Sequence, residues 1–241
     1  MEASRGSLSP VPIHLHPAAP LAERVLLPGD PGRALRLAQS LLKQPIMFNH
    51  HRGLWGYTGQ APDGRPLTIQ STGMGGPSAA IVIAELADLG AETLIRVGTC
   101  GALVAGLALG DLIVATEALR FDGTSSALLQ TGALCPDAEL IRALQAAAGE
   151  RTSSGPVAST DLFYDGPPED GQRWLGAGAV AVEMETATLF ALAQRRSLRA
   201  ASLLLVTDLL LPHRIRIPED ALQAGELRLG EVALGALVSG R

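Results

Sequence analysis

Short apolar runs alternate along this chain with stretches whose apolar positions recur at helical spacing. Residues 25–27, 67–70, 94–97, 112–116, 180–182 and 203–206 read as strands. Residues 32–42, 78–89, 138–148, 185–194 and 221–237 read as helices. This alternation predicts an α/β fold with a central mixed β-sheet flanked by helices. No repeat or long linker divides the chain, so residues 13–241 read as a single domain behind a loose tail over residues 1–12.

In such sheets ligands bind beyond the carboxyl ends of the strands. The conspicuous polar groups fall there: Asp30 and Arg33, Met74 nearby, Arg96 and Thr99, Glu183 and Glu185, and Asp208. Several such coincidences at successive strand ends describe a cleft.

Hydrophobic residues make up 47% of the 241 positions, and mean hydropathy is +0.24. That is oily for a monomer and implies a surface buried in an oligomer. A net charge of -5 argues against a nucleic-acid partner but not against small anions, which local arginines can hold. No apolar run reaches the roughly 18 residues of a membrane span. The N-terminal residues lack the apolar core of a signal peptide, which predicts a cytoplasmic protein. Cys100 and Cys135 are expected to be reduced thiols. No Cys or His spacing suggests a metal site.

Several motifs carry chemistry. Gly29-Asp-Pro-Gly-Arg33 is either an ordinary strand-to-helix turn or an anion site built from backbone and guanidinium. Arg96-Val-Gly-Thr-Cys-Gly101 is more demanding, because an arginine between Ile95 and Val97 in an apolar strand needs a partner, and an anion fits. Arg52 supplies a third guanidinium, beside His50 and His51. Val182-Glu-Met-Glu185 offers either acids at a helix N-terminus or a carboxylate for two sugar hydroxyls. Asp208 ends an apolar strand as a helix cap or a proton-transfer group. His14 taken alone carries no signal.

In this order the motifs resemble those of the nucleoside phosphorylase family, the type that includes hexameric bacterial purine nucleoside phosphorylase and uridine phosphorylase. The resemblance runs from Pro12-Ile-His14 to the last helix. It includes His51-Arg-Gly53, Ser71-Thr-Gly-Met-Gly-Gly-Pro-Ser78, Ser159-Thr-Asp-Leu-Phe-Tyr164 and Val206-Thr-Asp208. It implies a nucleoside phosphorylase-like fold and reversible phosphorolysis of purine ribo- or 2′-deoxyribonucleosides to base and (deoxy)ribose 1-phosphate. Nucleoside and phosphate would be its partners and no cofactor would be needed.

Carried over by residue, Gly29, Arg33, Arg52, Arg96 and Thr99 would bind phosphate. His14, Met74, Met184 and Glu185 would hold the ribose. Phe163, Val182, Glu183 and Thr207 would line the base pocket, and Asp208 would protonate purine N7. The family's trimer of dimers would need Arg52 and His14 donated by a neighbouring subunit. Asp208 favours purines over the alternative, uridine phosphorylase, whose Gln-x-Arg pattern is not met at Gln172 and Arg173. A non-catalytic nucleoside-binding module is a more distant alternative. The spacing of the family's assisting arginine lands on Ala221, leaving Arg214 or Arg216 as substitutes.

Overall fold

A computed structural model describes residues 12–149 and 151–239. Of the tail expected over residues 1–12, all but Pro12 lies outside the described residues. The elements run β1 (Arg24–Leu27), α1 (Pro31–Leu41), β2 (Lys43–Asn49), a 3₁₀ turn (His51–Gly53), β3 (Gly56–Gln60), β4 (Pro66–Gln70), α2 (Gly76–Asp88), β5 (Thr93–Ala102), β6 (Leu112–Phe121) and α3 (Gly123–Leu128). They continue with α4 (Ala138–Ala148), β7 (Thr152–Thr160), α5 (Asp170–Gly176), β8 (Ala181–Glu183), α6 (Thr186–Arg196), β9 (Arg199–Leu209), β10 (Ile215–Arg216) and α7 (Glu219–Ser239).

Among the described residues these strands form one mixed sheet in the order β10-β9-β6-β7-β8-β5-β1-β4-β3-β2, with β9 also pairing β5. The extra pairing closes β5, β9, β6, β7 and β8 into a ring, from which β1, β4, β3 and β2 extend as a wing. Every expected strand and helix has a counterpart. The expected α/β class with a mixed sheet is what the chain forms.

β2, β3 and β7 give no strand signal in the sequence. β2 carries Pro45 and is mostly exposed at the sheet edge, where proline is tolerated. β7, Thr-Ser-Ser-Gly-Pro-Val-Ala-Ser-Thr, is extended because β6 and β8 pair with it on either side.

β9 shows how the core is divided. Leu203 and Leu205 face one apolar cluster with residues of α1, α4 and α7, while Leu204 and Val206 face the other with residues of α2 and α6. A strand buried on both faces reads as a continuous apolar run rather than an alternating one. No described helix is long and apolar enough to cross a membrane.

β5 positions the site. Its first half, Thr93 to Arg96, pairs with β1 along one edge, and at Gly101 and Ala102 that edge pairs with β8 instead. Between them, from Val97 to Cys100, β1 and β8 diverge and the edge has no strand partner among the described residues. A sheet that parts in this way opens a crevice at strand ends.

Candidate active site

Two arginines enter this gap from different elements. Asp30 caps α1, its carboxylate accepting from the Gly32 and Arg33 amides at 3.0 and 2.8 Å, with Pro31 beginning the helix. The cap sets Arg33 in the first turn, facing inward. Its side chain is buried; Nε donates to Glu226 at 2.8 Å, and one terminal nitrogen donates to the Val97 carbonyl in the gap at 3.2 Å. The turn reading therefore explains Asp30, but Arg33 is not a solvated first-turn residue.

Arg96 arises from β5 itself. Its Nε donates to Glu183 at 2.9 Å and a terminal nitrogen meets Glu185 at 2.6 Å. Burial works against this charge, but the two carboxylates more than offset it and hold its pKa above the ordinary value. The guanidinium folds back over Gly98, where a Cβ would stand 2.6 Å from Arg96 Cζ. Thr99, one residue on, is partly exposed in the gap.

The loop after β4 continues alongside the loop after β1: Thr72 and Gly73 amides donate to the Pro28 and Gly29 carbonyls at 2.9 and 3.1 Å. A Cβ on Gly29 would sit 3.2 Å from the Gly73 carbonyl oxygen, so only glycine fits that approach without adjustment. The same loop aims the Gly75 amide at Glu185, 2.5 Å away, and leaves Met74 85% exposed.

The two acids of the Val182-Glu-Met-Glu185 segment do different work. Glu183 is sequestered: it accepts from the Ser159 hydroxyl, from Arg96 and from the amides of Glu185 and Thr186 at the start of α6. Its carboxylate is thus engaged by the framework on both oxygens. Glu185 shares Arg96 with it and accepts the Gly75 amide. Burial, the largest influence, raises its pKa; Arg96 opposes this, Glu183 adds to it, and the net displacement is upward. Arg33 lies close enough to act on Glu185 as well. Met184, between the acids, is partly exposed, as is Val182, which pairs with Gly101.

Asp208 lies across β5. A bulge between Cys100 and Gly101 skips Thr207 and sets Asp208 opposite Gly101. The Thr207 hydroxyl donates to Asp208 at 2.9 Å. The chain then turns back, and β10 pairs antiparallel with the end of β9, Arg216 against Asp208. This hairpin delivers Arg214, whose Nε donates to Asp208 at 2.7 Å, and Arg216, 3.5 Å from the same oxygen. Arg214 also lies over the half-exposed Phe163 ring, 4.7 Å from its centroid. Ala221, the position indicated by spacing alone, lies within α7.

His14 and Arg52 form a separate patch. The His14 ring meets Glu85 of α2 at 2.7 Å, and Glu85 also accepts the amides of Ile13, His14 and Leu15. Burial pushes Glu85 up, but His14 and these amides outweigh it and hold its carboxyl below the ordinary value. The His14 carbonyl meets the His51 ring at 3.0 Å, and His51 stacks on His16. Arg52 follows, exposed and in a left-handed backbone conformation at φ 57°. Among the described residues neither His14 nor Arg52 touches Arg33, Arg96 or Glu185. The exposed apolar side chains of Ile13, Met47, Trp55 and Ile81 belong to these same segments.

Two residues of this framework were not legible as such. Glu226 and Ser159 bind site residues through contacts distant in sequence. Arg214 differs, since it stood beside Arg216 as a candidate and only the hairpin distinguishes them.

The model of the Phosphorylase superfamily matches residues 23–237. A relative from Jannaschia sp., described as a purine nucleoside phosphorylase DeoD-type, is 40% identical over 92% of this chain and 97% of its own length. One from Clostridium perfringens with the same description is 36% identical over 91% and 95%. A guanosine phosphorylase of Halorubrum lacusprofundi is 40% identical over 75% and 76%.

Proposed function

We infer the reaction from one premise: the chain belongs to the phosphorylase superfamily. It is an enzyme of purine nucleoside phosphorolysis, converting a purine nucleoside and phosphate to the free base and the pentose 1-phosphate. One observation supports placing that reaction in the β5 gap. Arg96, a guanidinium suited to phosphate, touches Glu185, a carboxylate suited to a vicinal diol, at 2.6 Å. Phosphate and sugar would then lie side by side.

In this reading Arg33, Arg96, Thr99 and the Gly29 turn hold phosphate beneath C1′. Glu185 accepts the sugar hydroxyls, with Met184 and Met74 against the ring. A phosphate oxygen bonds to C1′ as the C1′–N9 bond breaks, and the bonding pair leaves with the base. Asp208 gives its proton to N7, so the base departs neutral. As the carboxylate forms, Arg214 and Arg216 stabilise it. Phe163, Val182 and Thr207 flank the base. Holding the two reactants together supplies a large part of the rate.

Arg52 and His14 sit apart from this cluster within one chain, and their segments expose apolar side chains. Both features support a homo-oligomer, a trimer of dimers, in which each subunit lends this patch to its neighbour's site. The free thiols of Cys100 and Cys135 accord with the reducing cytoplasm where we place the reaction. Nothing in the step calls for a cofactor.

The test is to incubate the protein with inosine, guanosine, adenosine and uridine, with and without phosphate. Release of base and pentose 1-phosphate from purine nucleosides, only with phosphate, is expected. Release without phosphate, or from uridine alone, overturns the reading.

A further inference from the structure

Resting on the reading of Arg33 as a phosphate ligand, the geometry points to Glu226 as the positioning residue that sets Arg33 for phosphate. Glu226 lies on α7, on the same stripe as Leu229, Gly230, Ala233 and Leu237, which pack toward α1 and α4. It is the charged member of an apolar face, and its side chain is 3% exposed. Burying an ion pair seldom adds stability over apolar residues of the same size, so fold stability alone gives little reason for a carboxylate here.

Its contacts supply a reason. One oxygen accepts Arg33 Nε at 2.8 Å. The other accepts Arg36 Nε at 3.1 Å and a terminal nitrogen of Arg36 at 2.5 Å. Arg36 thus takes up the second oxygen and holds the carboxylate with its first toward Arg33. Arg33 is then fixed at three points: its amide on Asp30, its Nε on Glu226 and one terminal nitrogen on the Val97 carbonyl. Its other terminal nitrogen takes no partner among the described residues and is left to donate to an anion. An arginine held in this way loses little further freedom when it binds. Arg36 also meets Asp30 at 3.4 Å, so Arg36 does not draw on Glu226 alone.

A carboxylate near an anion site also has an opposing effect, since its charge repels phosphate. Conservative variants separate the two roles. Glu226→Asp keeps the charge but is one methylene too short to reach Arg33. Glu226→Gln removes the charge but keeps an oxygen that can accept from Nε. If Glu226 positions Arg33, Glu226→Asp and Glu226→Leu raise the KM for phosphate about tenfold or more, the loss of a charge-assisted hydrogen bond. The KM for nucleoside stays within about twofold, and Glu226→Gln lies closer to wild type than Glu226→Asp.

Steady-state kinetics with each substrate varied in turn, alongside thermal unfolding of each variant, reads this out. Two results overturn the proposal: an unchanged phosphate KM in Glu226→Asp, or parallel rises in both KM values that track lost stability. A third is Glu226→Gln binding phosphate more tightly while Glu226→Asp matches wild type, which leaves charge alone as the role. Arg33→Ala is the control. If it too has a wild-type phosphate KM, the reading of Arg33 fails and the proposal with it. If only Arg33→Ala is impaired, the proposal alone fails.

Discussion

Arg214 joins Asp208 to Phe163: its Nε donates to the Asp208 carboxylate at 2.7 Å, and its guanidinium lies 4.7 Å from the Phe163 ring centroid. The hairpin after β9 therefore ties the proposed proton donor to the proposed base platform. Arg214→Met keeps the unbranched stem of the side chain and removes the guanidinium with its charge. We expect kcat/KM for inosine to fall about 10- to 100-fold, as for a lost charge-assisted hydrogen bond. Arg216 stands at 3.5 Å and is 72% exposed, so Arg216→Met is expected to cost no more than about threefold. Equal effects of the two substitutions, measured in the same assay, would contradict this order.

Asp208→Asn removes a proton donor while keeping the shape of the site. Turnover of guanosine or inosine is expected to fall about 10²- to 10⁴-fold, the usual contribution of a general acid. The KM for phosphate should hold. 7-Methylguanosine already carries a cationic base and needs no proton at N7, so its cleavage should be largely spared. If both nucleosides lose activity to the same degree, Asp208 acts other than by protonation.

The separation of Arg52 from Arg96 within one chain bears on assembly. Arg52→Ala and Asp208→Ala are each expected to be nearly inactive alone. Unfolded together in equal amounts and refolded, they should regain activity in about a quarter of the sites of a random dimer population, since a mixed pair contains one intact site. Mixtures no more active than their parents would place Arg52 outside the neighbour's site.

Glu185 gives a signed pH prediction. Burial, against the opposing effect of Arg96, leaves its pKa in the folded state above that of the unfolded chain. Between those two values the native protein binds more protons than the unfolded one. Its contribution to stability is therefore fully present below the unfolded value and is lost as pH rises through the folded value. Glu185→Gln cannot ionise, so its stability relative to wild type should increase from mildly acid to neutral pH while nucleoside turnover collapses. Denaturant unfolding at both conditions measures the difference, and a constant difference contradicts the assignment.

The sequence by itself determined the α/β alternation, the strand-to-helix turn as one reading of Gly29 to Arg33, and the set of polar residues at strand ends. These are local properties, set by apolar periodicity and turn chemistry over a few residues. It marked Arg33, Arg96, Glu185 and Asp208 as a group, and the fold brings Arg33, Arg96 and Glu185 to the gap in β5 and sets Asp208 opposite Gly101. What it left open was decided by pairing and register. Whether Glu183 meets a ligand or the framework depends on Ser159 and the start of α6. Whether Ala221, Arg214 or Arg216 reaches Asp208 depends on a hairpin whose register no spacing rule fixes. The strands β2, β3 and β7 exist because neighbours pair with them, and Glu226 reaches Arg33 across 193 residues because α7 packs against α1. Such contacts join elements distant along the chain, and apolar periodicity records which face of an element is buried but not what it meets there.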